Sequence, residues 1–257
     1  MRIAFLGTSI DLLSADETLQ RALQAMQGGR PIVHVALNVA KFVNMRQNEQ
    51  LRSDVEQADI IGLDGMGLVL ALRLFGRRRV ERVAGVDLMF ALLAKCAELK
   101  LRPFLLGARP EVVERAAAVA QRRWPGLEFA GLRDGYFAAD EEAAIAEQIR
   151  SSGADCLFVA MPTPRKEVFL GRHGRGLGVP FIMGVGGSVD VLAGAVSRAP
   201  YWMQRSGLEW LHRLLQEPRK MFRRYASTNL VFAAIVARAG LGRLFGREAV
   251  RLLAQRH

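Results

Sequence analysis

Asp64 follows the apolar run Ile60-Ile-Gly-Leu63 and precedes Gly65-Met-Gly67. A carboxylate that leaves a buried strand between glycines emerges where a ligand can come close to backbone, and as a proton acceptor it suits general-base chemistry. The same position suits the cap of a helix opening near Met66, because Asp is a favoured N-cap. The sequence leaves both readings open. A second turn, Gly184-Val-Gly-Gly-Ser-Val-Asp190, follows Pro180-Phe-Ile-Met183. Backbone N–H groups at Gly186 and Gly187 suit phosphate oxygens, and Asp190 suits a ribose hydroxyl. Asn38, Gly107 and the stretch Pro162 to Glu167 also stand just past apolar runs, where open parallel sheets gather their ligands.

What is missing narrows the chemistry. There is no Asp-x-Asp, and the four histidines (His34, His173, His212, His257) are scattered without metal-ligand spacing. A metal-free site is therefore expected, with the charge of a diphosphate leaving group offset by Arg82, Arg165, Lys166, Arg198 and Arg213. Arg82 also follows the basic run Arg77 to Arg79, so a solvated charge cluster is an equally good reading there. Ile3-Ala-Phe-Leu-Gly-Thr-Ser9 lacks the Gly-x-Gly-x-x-Gly of a dinucleotide fold, and no Walker lysine loop is present.

The elements that must position these residues read as an alternation. Ile32 to Leu37, Ile60 to Leu63, Arg102 to Leu106, Cys156 to Met161 and Pro180 to Val185 read as buried strands between segments of helical period. Ser14 with Glu17 marks a capping box ahead of Leu19, Leu23 and Met26, and further helices are expected after Gly65, Arg109 and Ala139. The fold class is therefore α/β: a Rossmann-like, mostly parallel sheet flanked by helices. Beyond about residue 196 the strands stop. Leu208, Leu211 and Leu215 share a helical stripe, and Pro218 begins a second helix. Two units are expected, a catalytic and donor-binding body over 1–196 and a basic helical appendage over 197–257.

Charge follows the same division. The chain carries a net +11, and residues 197–257 hold 12 Lys and Arg against 3 Asp and Glu. Such an arm suits a phosphate-bearing partner. Its basic residues are interspersed with Leu, Val and Ile and match no nucleic-acid-binding motif, so no nucleic acid is expected. Val231, Phe232, Ile235, Val236, Leu241, Leu244 and Phe245, with Arg238, Arg243, Arg247 and Arg251 among them, read as an interfacial amphipathic helix or as a helix packed on the body. The apolar run Leu230 to Ala237 has eight residues, well short of the roughly 20 that span a bilayer. Cys96 and Cys156 show no paired spacing, and the N-terminus has no signal-peptide pattern. A reduced, cytoplasmic setting is expected.

Taken in order, Ala36-Leu-Asn38, Ala58 to Gly67, Glu81-Arg-Val-Ala-Gly-Val-Asp87, Phe104-Leu-Leu-Gly107, Gly135-Tyr-Phe137, Gly184 to Gly194, and Arg198-Ala-Pro through Gly207-Leu-Glu-Trp-Leu-His-Arg to Pro218 resemble the WecG/TagA/CpsF glycosyltransferases, glycosyltransferase family 26. The resemblance implies inverting, metal-independent transfer from a UDP-sugar to an acceptor on undecaprenyl diphosphate. It places the enzyme peripherally at the inner face of a bacterial plasma membrane, in teichoic acid, capsule or exopolysaccharide synthesis. The UDP-sugar is then a donor substrate, no cofactor is expected, and self-association stays open. By position, the resemblance makes Asp64 the base, with Asn38 and Arg82 beside it. Gly107, Tyr136, Lys166, Gly186, Gly187 and Asp190 fall on the nucleotide side. Arg213, Arg219, Arg223 and Arg224 are the arginines of the appendage that close over the diphosphate. Two positions depart from the family pattern: Ala36 replaces the usual Thr, and Lys166 replaces a Gln, exchanging an amide for a donor-only ammonium. They leave the donor sugar open, and they motivate the competing reading of a catalytically impaired sugar-nucleotide-binding protein of the same fold.

Overall fold

A computed structural model describes the backbone of residues 1–244, and their side chains except for 219–221, 223–226, 243 and 244. The chain opens with a hairpin of β1 (Arg2–Phe5) and β2 (Thr8–Asp11), paired antiparallel with Phe5 opposite Thr8. Its two turn residues, Leu6 and Gly7, both have positive φ (49° and 77°), as a two-residue turn matched to strand twist requires. Leucine is an unusual occupant of that conformation, and the strands read from the sequence, which begin at Ile32, did not include this hairpin. Arg2 donates to both Asp11 carboxylate oxygens, and Asp11 also accepts from Ile61 N–H at 2.8 Å, which fastens the hairpin to the sheet.

Alternation then begins as expected. Helix α1 (Ala15–Met26) starts with the Ser14–Glu17 capping box intact. It is followed by β3 (Ile32–Leu37), α2 (Val39–Met45), α3 (Glu49–Glu56), β4 (Ile60–Leu63), α4 (Met66–Leu74) and α5 (Gly85–Leu99). The second half holds β5 (Pro103–Gly107), α6 (Pro110–Arg123), β6 (Gly131–Arg133), α7 (Glu142–Ser151), β7 (Cys156–Ala160), α8 (Arg165–His173), β8 (Phe181–Gly184) and α9 (Ser188–Leu192). The sheet runs β1-β2-β4-β3-β8-β7-β5-β6, and every pair after the hairpin is parallel. The short strand β6, with no fully buried residue, gave no apolar run to find in the sequence.

Side chains of the inner strands alternate between two cores. Phe158 and Phe181 join α1, α5, α6 and α9 on one face, while Leu157, Val159 and Ile182 join α7 and α8 on the other. This is the period-2 geometry of a sheet covered on both sides. Cys96 and Cys156, 60 positions apart, meet in the first core with sulfurs 3.9 Å apart, as free thiols. Burial pushes the Cys156 thiol up, so it behaves as an apolar packing group.

After α9 come α10 (Tyr201–Arg205), α11 (Glu209–Gln216) and α12 (Pro218–Leu244). Helix α12 lies along α2. Its Phe232 is buried edge-on against Phe42, with ring centroids 5.5 Å apart, and Ile235 and Val236 pack on the same core. The apolar stripe expected at an interface is thus divided: those three residues cover the body, and Leu230, Val231 and Leu241 are exposed. The side chains of Arg243 and Leu244, and the whole of Phe245, Arg247 and Arg251, lie outside what the structure describes. No described helix is long and apolar enough to cross a membrane.

Candidate active site

Every parallel strand directs its carboxyl end to one edge, and the expected site residues line that edge. Asp64 follows β4, Asn38 follows β3, Gly186 and Gly187 follow β8, Lys166 lies past β7, Gly107 ends β5 and Tyr136 follows β6. Neighbouring strands are about 4.8 Å apart, so Asp64 and Gly187, on strands two places apart, stand roughly 10 Å from one another along the sheet. Tyr136 is three strands beyond β8, at about 14 Å by the same spacing. The structure brings Asp64, Asn38 and Arg82 together and sets Gly107 and Tyr136 at the far end of the edge.

Asp64 is half-buried. Its N–H continues the ladder by donating to Leu37 O at 3.0 Å. Gly65, and not Asp64, is the N-cap of α4, which has no side-chain cap. The helix-cap reading of Asp64 therefore fails for α4. Its Oδ1 instead accepts from Gly85 N–H, at the start of α5, at 3.1 Å. Among the described residues no hydrogen bond to Oδ2 is seen. Burial raises the Asp64 pKa, the Arg82 guanidinium and the Gly85 N–H oppose that rise, and the Glu209 carboxylate adds to it. A carboxylate made more basic by its surroundings is a stronger proton acceptor at neutral pH.

Asn38 caps α2, its Oδ1 accepting from Lys41 N–H at 3.0 Å. Gly65 presses on it: a Cβ at 65 would stand 3.1 Å from Asn38 Cα. Arg82 donates through Nε to the Asp64 carbonyl at 3.0 Å and through Nη2 to Glu209 of α11. Glu209 was not singled out from the sequence. One of only three acids inside a strongly basic arm was the available signal. Arg198 completes the group, with its Nη1 and Nη2 on Asp87 at 2.5 and 2.6 Å.

At the turn after β8, Gly186 has φ +51°, and Gly187 is exposed beside the arm's Arg213. A Cβ at 187 would lie 3.2 Å from Arg213 Nη2. Arg213 also pairs with Glu217 at 3.3 Å. Asp190 sits in the first turn of α9. Gly107 has φ +114° and so little room that a Cβ would meet Ala160 backbone at 2.5 Å. Backbone packing alone requires glycine there. Arg165 lies over the Phe137 ring, 4.4 Å from its centroid. The side chains of Arg219, Arg223 and Arg224 lie outside the described residues.

Lys166 is buried, its chain running across Gly184, where a Cβ would stand 2.7 Å from Lys166 Cε. Its ammonium and that of Lys41 share Glu167 Oε1, at 3.5 and 2.8 Å, and Thr163 Oγ1 donates to the same atom at 3.2 Å. Burial would raise the Glu167 pKa, but Lys41 and Lys166 overcome it and hold the group ionised below the ordinary carboxylate range. Lys41 did not stand out in the sequence, and Glu167 did so only as the end of the stretch past β7; their pairing was not visible because partners 126 positions apart show no local pattern.

Beside this cluster His34 is buried over Gly62, and among the described residues neither ring nitrogen has a hydrogen-bond partner. Burial first, and then Lys41, push its pKa down from 6.5 to about 4. The folded value is below the unfolded one, so between these pH values only the unfolded chain takes up the proton. Stability is therefore lost as pH falls from 6.5 to about 4, by about 3 kcal/mol at roughly 1.4 kcal/mol per unit. Urea unfolding across that window is expected to show this slope in the parent chain and its loss in His34→Leu. Equal slopes would remove His34 as the cause.

Fold and site together define a Rossmann-like α/β protein whose crevice sets one desolvated carboxylate among guanidinium groups. Among the described residues there is no group of three or more His, Cys, Asp or Glu suited to hold a metal ion. The family model for the WecG/TagA/CpsF family of glycosyl transferases matches residues 3–245, and the chain belongs to that family. Membership makes it a glycosyltransferase of cell-surface polymer synthesis.

Proposed function

We propose that this protein transfers a sugar, with inversion and without a metal, from a UDP-sugar to a hydroxyl of a polyprenyl-diphosphate-linked acceptor, at the inner face of the bacterial plasma membrane. The observation that carries the reading is the placement of Asp64, half-buried and made more basic, beside Arg82 and two strands from the Gly187 turn where Arg213 arrives. In this reading Asp64 Oδ2 accepts the proton of the acceptor hydroxyl as its oxygen forms the bond to the anomeric carbon. The bond from that carbon to the UDP oxygen breaks on the opposite face, and the electron pair leaves with UDP. Guanidinium groups at Arg213, and on the arm at Arg219, Arg223 and Arg224, offset the diphosphate charge that builds up as UDP departs. The Gly186-Gly187 turn and Asp190 hold the nucleotide, with Gly107 and Tyr136 bordering its far end.

Residues 197–257 act here as the arm that brings cations to the crevice. The exposed Tyr201, Trp202, Leu215 and Phe222 sit among its arginines, a mixture suited to the headgroup region of a membrane. A panel of UDP-sugars offered with a short polyprenyl-diphosphate-linked acceptor, in EDTA, tests the proposal. The expected result is one donor giving product of inverted anomeric configuration with chelator present. UDP binding without transfer from any donor would favour the sugar-nucleotide-binding reading that Ala36 and Lys166 motivate, and activity abolished by EDTA would overturn the metal-free step.

A further inference from the structure

At the junction of arm and body two arginines meet two carboxylates, and the pairing leaves one guanidinium nitrogen over. Arg82 precedes α5 and Arg198 follows α9, and Glu209 of α11 lies between them. Its Oε2 is taken by Arg82 Nη2, while its Oε1 stands 3.7 Å from Arg198 Nε, which is beyond hydrogen-bond reach. That Nε is buried, and among the described residues it has no hydrogen-bond partner, only the electrostatic pull of the more distant Glu209 carboxylate. Asp87 holds only the outer two nitrogens of Arg198. A buried donor left unsatisfied is costly, so an anion with more oxygens and more charge than a carboxylate suits the gap better. The gap adjoins the Asp64 backbone through Arg82 Nε. A cavity of about 190 Å³, lined by Asp16, Leu19, Arg82 and Asp87, opens beside it. That is too small for a whole nucleotide sugar, whose pockets run from about 300 Å³ upward, but it opens onto Arg82 and onto Asp87, the partner of Arg198.

We propose that Arg82 and Arg198 form a diphosphate site which the chain fills with its own Glu209 when substrate is absent. The site rests on the transferase reading for its ligand class, a diphosphate of either the nucleotide or the polyprenyl carrier. Binding displaces Glu209, gives Arg198 Nε its missing acceptor and frees α11 to shift over the crevice. Glu209 is thus a stand-in anion that keeps two guanidinium groups together in the empty enzyme. Its carboxylate also lies near Asp64, and replacing it by ligand couples occupancy of the site to the charge around the base.

Calorimetric titration with UDP and, separately, with farnesyl diphosphate tests this on the full chain and on Glu209→Gln and Arg198→Gln. Glu209→Gln keeps the side chain's shape and removes the competing charge, so one ligand is expected to bind about tenfold tighter to it. Arg198→Gln is expected to bind the same ligand about tenfold more weakly. The ligand that responds assigns the site to donor or acceptor. Unchanged or weakened binding of both ligands to Glu209→Gln would overturn the proposal, since a merely structural Glu209 never tightens binding when removed. If Glu209→Gln loosens the arm, shown by a lower urea midpoint, Glu209→Asp, which shortens the reach to both arginines, must also bind more tightly for the proposal to stand. UDP binding that ignores both substitutions leaves the transferase reading intact, whereas no binding of either ligand to any of the proteins overturns both.

Discussion

Asp64→Asn is expected to lower kcat about 10²- to 10⁴-fold, the range for loss of a general base, while UDP affinity and thermal stability stay close to those of the parent chain. The amide keeps an oxygen that can accept from Gly85 N–H, so the contact holding the start of α5 survives. The ability to take up a proton does not. In the parent enzyme the pH profile should carry the same residue's mark. Burial, with Glu209 contributing and Arg82 and Gly85 opposing, raises the Asp64 pKa. The acid limb of kcat/KM is therefore expected above the ordinary aspartate range, with activity falling as pH drops through it. Single-turnover rates across pH, beside UDP titrations, separate chemistry from binding. A kcat within a few-fold of the parent would remove Asp64 from the role.

Glu167→Leu is expected to destabilise the fold by about 3–5 kcal/mol, as when one partner is removed from a buried ion pair. The carboxylate has a side-chain exposure of 1% and is the shared counter-ion of Lys41 and Lys166, so its loss leaves two buried ammonium groups facing one another. Urea midpoints check the size. The cycle with Lys41→Met checks the cause: the double variant should recover a large part of the loss, because one of the stranded charges goes with it. If the double variant is no more stable than Glu167→Leu alone, the damage comes from packing. Glu167 is held ionised below the usual carboxylate range, so its contribution persists at neutral pH and is lost only as pH falls through that depressed value.

Asp64, Asn38 and the glycine turn at 184–187 were legible because each directly follows an apolar run, and the carboxyl ends of parallel strands share one edge. The division of labour at that edge was not legible. Whether Asp64 capped α4 depended on which N–H its carboxylate met, and that N–H belongs to Gly85 on the next helix. Gly107 was read toward the nucleotide, yet its φ of +114° and its contact with Ala160 backbone already demand glycine. The pairings of Glu209, Asp87, Lys41 and Glu167 were silent because each acquires its meaning from a partner far away in the chain. Arg198 and Arg213 were noticed as charge, but not as residues bound to Asp87 or laid on Gly187.

Local sequence determined the alternation of strands and helices, the capping box at Ser14, the helix start at Pro218 and the basic character of the arm, since period, caps and charge need only near neighbours. Tertiary structure decided the rest. It turned Leu6-Gly7 into a hairpin and brought Cys96 to Cys156. It spent Phe232, Ile235 and Val236 on the body instead of on a membrane-facing stripe. The physical reason is the range of the forces involved: hydrogen-bonding periodicity is fixed within a few residues, whereas desolvation and charge pairing depend on everything that packs nearby, however distant in the chain.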